Sequence, residues 1–186
     1  AVFYPNIYEH EEIFKQEGWH YELESPEDDI TYNGVVYNEM KGAFSSPDEV
    51  LEREIMNHLF PDTTYGCESG GDPKNIPDLT YENFLNFHRT YYHPSNSYIY
   101  LYGNMDMEEK LAFLDEHYLS HFDYLDVDSV IQEQKAFGAC QDVTLEYPVA
   151  ENEGEEDNTY LSYNMVVGNA ADSQMAMAFE VFDYAL

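Results

Sequence analysis

The sequence predicts an α+β chain in which a sheet and its covering helices form two layers. Apolar and aromatic runs over residues 98–102, 143–149 and 161–167 indicate strands. Apolar stripes that follow strong start signals indicate helices between them. Hydrophobic residues make up 44% and aromatic residues 16% of the chain, so the sequence favours a folded core over disorder. A sheet with helices packed on it is a two-layer design.

The first elements are predicted around Trp19 and in the stretch that follows. Residues 1–24 mix aromatic and acidic side chains and indicate a helix followed by an extended segment. Residues 25–29 are rich in Pro, Ser and Asp and indicate a loop. Residues 34–44 then carry apolar side chains at helical spacing, which predicts a core-facing helix. Its apolar positions are Val36, Met40, Ala43 and Phe44.

The next two helices have clear N-terminal signals. Ser46 is a good N-cap, Pro47 occupies the first helical position and Glu49 completes a capping box. The buried stripe of this helix is predicted to be Leu51, Ile55 and Leu59. Residues 61–79, rich in Gly, Pro, Asp and Thr, indicate a long loop. Thr80 then caps a helix with Tyr81, Phe84, Leu85, His88 and Tyr91 on one side.

Residues 98–102 have apolar side chains on both faces, which predicts a strand in the interior of the sheet. Asp106 with Glu109 indicates another capping box. The stripe of that helix is Met107, Leu111, Leu114 and Tyr118. Residues 143–149 and 161–167 are predicted to form a hairpin, with the acidic run 151–157 as its solvated loop. Asp172 caps a last helix with Met175, Phe179, Phe182 and Leu186 on one face.

Glu39 is a carboxylate placed within the apolar stripe of residues 34–44. A buried ionised carboxylate costs several kcal/mol unless a cation or hydrogen-bond donors compensate it. A metal ion is one such cation. The alternatives are that Glu39 leans out to water, or that it pairs with Lys41 or with an arginine elsewhere.

Four sequence words carry a resemblance to a known family. In order they are Gln16–Trp19 (QEGW), Gly34–Phe44 (GVVYNEMKGAF), Ser69–Pro73 (SGGDP) and Tyr92–Asn96 (YHPSN). Together they resemble the presequence-protease branch of the pitrilysin/insulysin zinc peptidases (M16, subfamily C). The resemblance runs from residue 1 to about residue 122, and more weakly to the end.

The resemblance implies a zinc site of two His and one Glu. In that family an inverted His-x-x-Glu-His motif on an upstream helix supplies the His pair and the catalytic Glu. The third ligand is the Glu of the Asn-Glu-Met-Lys-Gly word, which is Glu39 here, with Asn38 and Lys41 as candidate supporting neighbours. No His-x-x-Glu-His occurs in this sequence, so no catalytic residue is assigned, and substrate-binding residues are not identified.

The resemblance further implies a two-layer α+β domain of the pitrilysin/insulysin (LuxS/M16-like metallohydrolase) type, incomplete at both ends. Residues 1–124 are then the C-terminal part of a first peptidase domain, and residues 125–142 a linker. Residues 143–186 begin a second, non-catalytic domain of similar structure. We therefore expect an internal fragment of a larger peptidase, inactive alone and not binding Zn²⁺ alone.

The function so implied is that of a zinc metalloendopeptidase that degrades unstructured, presequence-like peptides. Its partners would be peptide substrates and the remainder of the same polypeptide. One alternative is a family member that has lost catalysis and serves as a scaffold. The other is a free-standing acidic binding module. We expect a cytoplasmic location in a bacterium, or the mitochondrial or plastid matrix in a eukaryote.

Charge and cysteine content exclude several other classes. With 38 acidic and 7 basic side chains the formal net charge is −31, which argues against nucleic-acid and anionic-membrane partners. It suits solubility or the attraction of cationic peptides; the alternative is a solvated surface or an organism whose proteins are acidic in general. Cys67 and Cys140 are widely separated and indicate free thiols in a reducing compartment.

His117 and His121 have the spacing that puts two imidazoles on one helical face. Ser120 stands where the inverted motif needs its Glu, and the pair lies far downstream of Glu39. We therefore expect solvated residues near the negative end of a helix dipole, not a metal site. His93 belongs to the Tyr92–Asn96 turn and is expected to be structural.

Overall fold

The structure, a computed structural model, describes residues 1–149, 154 and 156–185. Within these residues the chain forms six α-helices and one two-stranded sheet. The elements are α1 Glu11–Glu17, β1 His20–Glu22, β2 Thr31–Asn33, α2 Val35–Ala43, α3 Pro47–Leu59, α4 Tyr81–Tyr91, α5 Met107–His117 and α6 Ser173–Ala185. One-turn 3₁₀ helices lie at Asn6–Tyr8, Thr64–Gly66, Ile76–Asp78, Pro94–Asn96 and Leu119–His121. None of the described helices is long and apolar enough to cross a membrane.

The predicted N-caps are confirmed, but the capping boxes predicted for Ser46 with Glu49 and for Asp106 with Glu109 lack the reciprocal hydrogen bond. Four side chains accept a hydrogen bond from the backbone N–H of the third helical residue, which satisfies an otherwise unpaired donor. These caps are Ser46, Thr80, Asp106 and Asp172. At Thr80 the box is complete, because Asn83 Oδ1 accepts in return from the Thr80 backbone N–H at 3.0 Å.

A short hairpin leads into α2. Strands β1 and β2 are antiparallel, with Tyr21 opposite Tyr32. Gly34 follows β2 with φ +149°, and a Cβ there would lie 2.2 Å from the Gly18 carbonyl oxygen. Only glycine allows this crossing of the two segments. The Trp19 indole N–H, on the same hairpin, donates to the Leu79 carbonyl at 2.9 Å and so ties the hairpin to the segment before α4.

The buried core is small. Among the described residues, the buried apolar side chains are Phe14, Ile76 and Leu85. Phe14 of α1 packs against the ring of Phe84 on α4, with centroids 5.5 Å apart. On the next turn of α4, His88 hydrogen-bonds the Tyr8 hydroxyl at 2.7 Å through Nδ1. The N-terminal residues and α1 are therefore held against α4.

The predicted strands of the later chain are not formed. Residues 98–102, 143–149 and 161–167 have no strand assignment, so the prediction of an interior strand and a hairpin is wrong for this chain. Tyr100 and Tyr102 are each 84% exposed. A strand needs a neighbour for its backbone N–H and C=O groups, and in the described residues β1 and β2 alone find one.

The predicted helix stripes of α5 and α6 are also uncovered. Met107 and Leu111 of α5 and Phe182 of α6 are exposed, where burial was expected. The chain exposes 15518 Å² in all, against roughly 9,200 Å² for a compact monomer of this mass. The apolar faces are therefore present as the sequence indicates, but the described structure covers them only in part: Leu114 and Tyr118 are half-buried, and Tyr118 contacts the Tyr4 ring.

Two further expectations concern irregular segments. Residues 125–142, the predicted linker, carry no helix or strand, and the division into domains stays a prediction. The acidic run 151–157 falls mostly outside the described residues, as do residue 150 and Leu186.

Candidate functional site

Helix α2 has two distinct faces. Val36, Tyr37, Met40 and Phe44 are half-buried. Val35, Asn38, Glu39, Lys41, Gly42 and Ala43 are exposed. This corrects the predicted core-facing stripe, because Glu39 and Ala43 lie on the outer face. Successive residues of an α-helix are 100° apart around its axis. The four half-buried residues therefore fall within one arc of the helix surface, and Glu39 and Ala43 fall outside that arc.

The carboxylate of Glu39 is exposed and makes no hydrogen bond or ion pair within the described residues. Its helical neighbours one turn away are small or apolar: Val35, Val36, Gly42 and Ala43. A Cβ added at Gly42 would meet nothing within 4 Å, so the space above this face is open. Of the alternatives for Glu39, the structure shows the one in which the side chain leans out to water, and no pair with Lys41 or with an arginine is formed among the described residues. The carboxylate is free to take a ligand from outside.

Asn38 connects α2 to the hairpin. Its side-chain N–H donates to Asn33 Oδ1 at 2.6 Å, and the same oxygen accepts from the Gly34 backbone N–H at 2.7 Å. The Asn33 side-chain N–H in turn donates to Glu22 at 2.7 Å. This network fixes the first turn of α2 and with it the start of the helix that carries Glu39. The roles of Asn38 and Lys41 beside a metal stay predictions.

The inner face of α2 is held by two contacts that sequence reasoning missed. A Cβ at Gly70 would lie 2.3 Å from Met40 Sδ, so the 61–79 loop packs directly on Met40. One helical turn further, the guanidinium of Arg53 lies 4.2 Å from the centroid of the Phe44 ring. The glycine pair after Ser69 was the available signal for the first contact.

The other candidate histidines are accounted for. His117 ends α5 with its ring 4.6 Å from that of Phe113, while His121 lies in a separate 3₁₀ turn. The two imidazoles therefore do not share one α-helical face, contrary to the spacing. His93 Nδ1 accepts from the Ser95 backbone N–H at 3.2 Å, as a structural turn residue would.

One acid outside this region has a displaced pKa. The pKa of Glu12 lies below its ordinary value because its own backbone N–H and then the His10 side chain hydrogen-bond the carboxylate. Glu12 is fully exposed in the first turn of α1. Its shift is local and has no connection to Glu39.

A zinc ion requires three or four protein donors. In the part of the chain that the structure describes, no group of three His, Cys, Asp or Glu side chains is placed to hold a metal ion. Glu39 fits as one oxygen ligand, being exposed and unpaired, but the described residues do not complete a site around it.

Comparisons with known proteins define the family. A protein-family model described as "Peptidase M16 inactive domain" matches residues 78–186, more than half of the chain. The chain therefore belongs to the peptidase M16 family. Similarity to individual relatives extends further and includes α2, because their alignments cover 100% of this chain.

Three relatives show the range of this similarity. Protein HypA of Clostridium perfringens is 55% identical over 186 residues. Presequence protease 1, chloroplastic/mitochondrial, of Arabidopsis thaliana is 42% identical over 189 residues. The mitochondrial presequence protease of Xenopus laevis is 38% identical over 190 residues. The chain spans 19%, 17% and 18% of their respective lengths, less than a fifth of each.

Proposed function

We propose that this chain is one segment of a zinc metalloendopeptidase that degrades unstructured, presequence-like peptides. Family membership supports the class of enzyme, and the names of two relatives support the substrate class. The observation that carries the proposal is Glu39: an exposed, unpaired carboxylate whose helical neighbours one turn away are small or apolar.

The proposed role of Glu39 is to bind zinc and balance its charge, not to transfer a proton. Bound zinc supplies Lewis acidity, which lowers the pKa of water to about 7. The other ligands and the base would come from the remainder of the polypeptide. Within this chain, Asn38 holds the first turn of α2 to Asn33, and Lys41 is a candidate neighbour of the site.

The exposed apolar surface supports the remainder of the polypeptide as a partner. A groove of about 960 Å³ lies between α3 and residues 134–141, 143–147 and 158–166, which carry no helix or strand. Its walls include Val50, Leu51, Ile55, Leu145 and Met165. The proposed division into 1–124, 125–142 and 143–186 places this groove between two domains. Such a surface disfavours the free-standing binding module, since a stable module buries its apolar side chains.

The test is zinc binding by the full-length protein that carries this chain. We expect E39Q to weaken zinc affinity more than about 100-fold, beyond the 10–100-fold that loss of an outer partner costs. Zinc affinity is measured by competition with a chelator. E52Q is the matched control, because Glu52 is also an exposed carboxylate on a helix, without a partner among the described residues. Equal affinities of E39Q and E52Q would reject Glu39 as a ligand.

The scaffold alternative gives a different result in the same experiment. A family member without catalysis would bind no stoichiometric zinc and would hydrolyse no unstructured peptide, whatever residue stands at position 39.

One of the three relatives comes from a bacterium, and the names of the other two give mitochondria or chloroplasts as their location. The proposed location therefore keeps the two alternatives of bacterial cytoplasm and organellar matrix.

A further inference from the structure

Arg53 is a largely buried cation. Its side chain, on α3, is 11% exposed, whereas that of Arg89 is 48% exposed. Nη2 donates to Glu54 Oε1 at 2.9 Å, and Nη1 lies 4.0 Å from Asp72 Oδ2. Nε is buried and finds no hydrogen-bond partner in the described structure. Burying a charge with an unsatisfied donor is costly, so stability alone is a poor reason for an arginine here.

The position of Arg53 connects three segments. Its guanidinium stacks on the ring of Phe44, the residue that ends α2. The Phe44 backbone N–H donates to the Met40 carbonyl at 3.0 Å, so Phe44 is held on the last turn of α2. Asp72, which attracts the guanidinium, is two residues from Gly70, which packs on Met40. The 61–79 loop therefore contacts α2 at Met40, and α3 contacts it at Phe44.

These two contacts fix the rotation of α2 about its own axis. Met40 and Phe44 are one turn apart on the same face, so holding both prevents the helix from rolling. Glu39 precedes Met40 by one residue and therefore lies 100° around the helix. When the inner face is fixed, the direction in which the Glu39 carboxylate leaves the helix is fixed as well.

We propose that Arg53 is a positioning residue that sets the direction of Glu39 through Phe44. The proposal rests on the proposed function of Glu39 as a zinc ligand. Arg53 touches neither the carboxylate nor a ligand. It acts on the orientation of α2. A flat guanidinium covers an aromatic face and reaches a carboxylate at the same time, which a lysine does less well.

The first test is amide hydrogen exchange in the full-length protein that carries this chain. R53Q is expected to raise the exchange rates of the last turn of α2 about tenfold, with α4 unchanged. R89Q is the matched control. Arg89 also pairs with a carboxylate, Glu82 at 3.0 Å, and lies 5.3 Å over the Tyr8 ring, but it has no contact with α2. R53K is expected to restore part of the protection.

The second test is zinc affinity of the same variants. R53Q is expected to weaken it about tenfold, as loss of an outer partner does, with R53K intermediate and R89Q unchanged. If R53Q does not fold, F44L decides, because it keeps an apolar side chain and removes the ring face. Faster exchange in the last turn of α2 of F44L supports the proposal, and unchanged exchange rejects it.

Three outcomes overturn the proposal. They are unchanged α2 exchange in R53Q, equal effects of R53Q and R89Q, and faster exchange with zinc affinity intact. If the unmodified full-length protein binds no zinc, the proposed function fails, and the link between Arg53 and Glu39 fails with it. The exchange result then still decides whether Arg53 holds α2.

Discussion

Gly70 lies directly against Met40, so that a Cβ added at Gly70 would be 2.3 Å from Met40 Sδ. The contact joins the 61–79 loop to the inner face of the helix that carries Glu39. The loop thus has a structural function that its composition does not reveal. The loop packs against α2 at this point, and a side chain larger than that of glycine requires the end of the Met40 side chain to move.

G70A is therefore expected to lower the local unfolding free energy of α2 by about 1 kcal/mol, because Met40 must move away. In an M40A background the same change should cost less, with a coupling of at least about 0.5 kcal/mol. Amide exchange in α2 measures both values. G138A is the control, since a Cβ there meets nothing within 4 Å. Additive costs of G70A and M40A would show that the two residues are not in contact.

The hydrogen bond from the Trp19 indole N–H to the Leu79 carbonyl is the second testable contact. W19F removes the donor and leaves the carbonyl without it, at a cost of about 1 kcal/mol. We expect limited proteolysis within residues 61–79 to become several-fold faster, because local opening limits cleavage there. Y21F, which removes an exposed hydroxyl of the same hairpin, should leave the rate unchanged. Equal proteolysis rates for W19F and the unmodified protein would show that this hydrogen bond does not hold the hairpin to the segment before α4.

Gly42 tests whether another part of the polypeptide covers the outer face of α2. Alanine is a better helix former than glycine by about 1 kcal/mol, and a Cβ at Gly42 meets open space in this chain. G42A should therefore slow amide exchange of α2 in the 186-residue chain. In the full-length protein the same change should crowd the covering segment and weaken zinc binding. Slower exchange in both proteins, with zinc affinity intact, would show that this face stays uncovered.

His117 and His121 should play no part in metal binding. The H117Q/H121Q double variant of the full-length protein is expected to keep its zinc content and, within about twofold, its affinity. The reason is that His117 ends α5 and His121 belongs to a separate turn. Loss of one zinc equivalent by metal analysis would show that the pair is a site after all.

The features that sequence reasoning predicted are those whose causes are local. The caps at Ser46, Thr80, Asp106 and Asp172 depend on residues three positions away, and all four are present. Residues 98–102 have the pattern of a strand, but a strand depends on distant pairing partners. The described residues supply no such partner, so no strand forms there. For the same reason Tyr98, Ile99, Tyr100 and Tyr102 are exposed here.

The same difference between local features and features that depend on distant residues holds for the candidate site. The sequence resemblance picks out Glu39 as a metal ligand, and that assignment stays a prediction. The apolar stripe of residues 34–44 suggested that Glu39 faces inward, whereas the structure places it on the outer face. The contacts of Arg53 with Phe44 and of Gly70 with Met40 join separate segments. The glycine pair after Ser69 was the available signal for the contact with Met40, and no residue pattern indicated the contact of Arg53 with Phe44.

The central claim is that the carboxylate of Glu39 binds zinc in the full-length protein. A crystal structure with anomalous diffraction at the zinc edge tests it most directly. The account predicts an anomalous peak about 2.0–2.2 Å from a Glu39 carboxylate oxygen, the usual distance for such a bond. A zinc peak elsewhere, with the Glu39 carboxylate in water or paired with a cation of the protein, would contradict it.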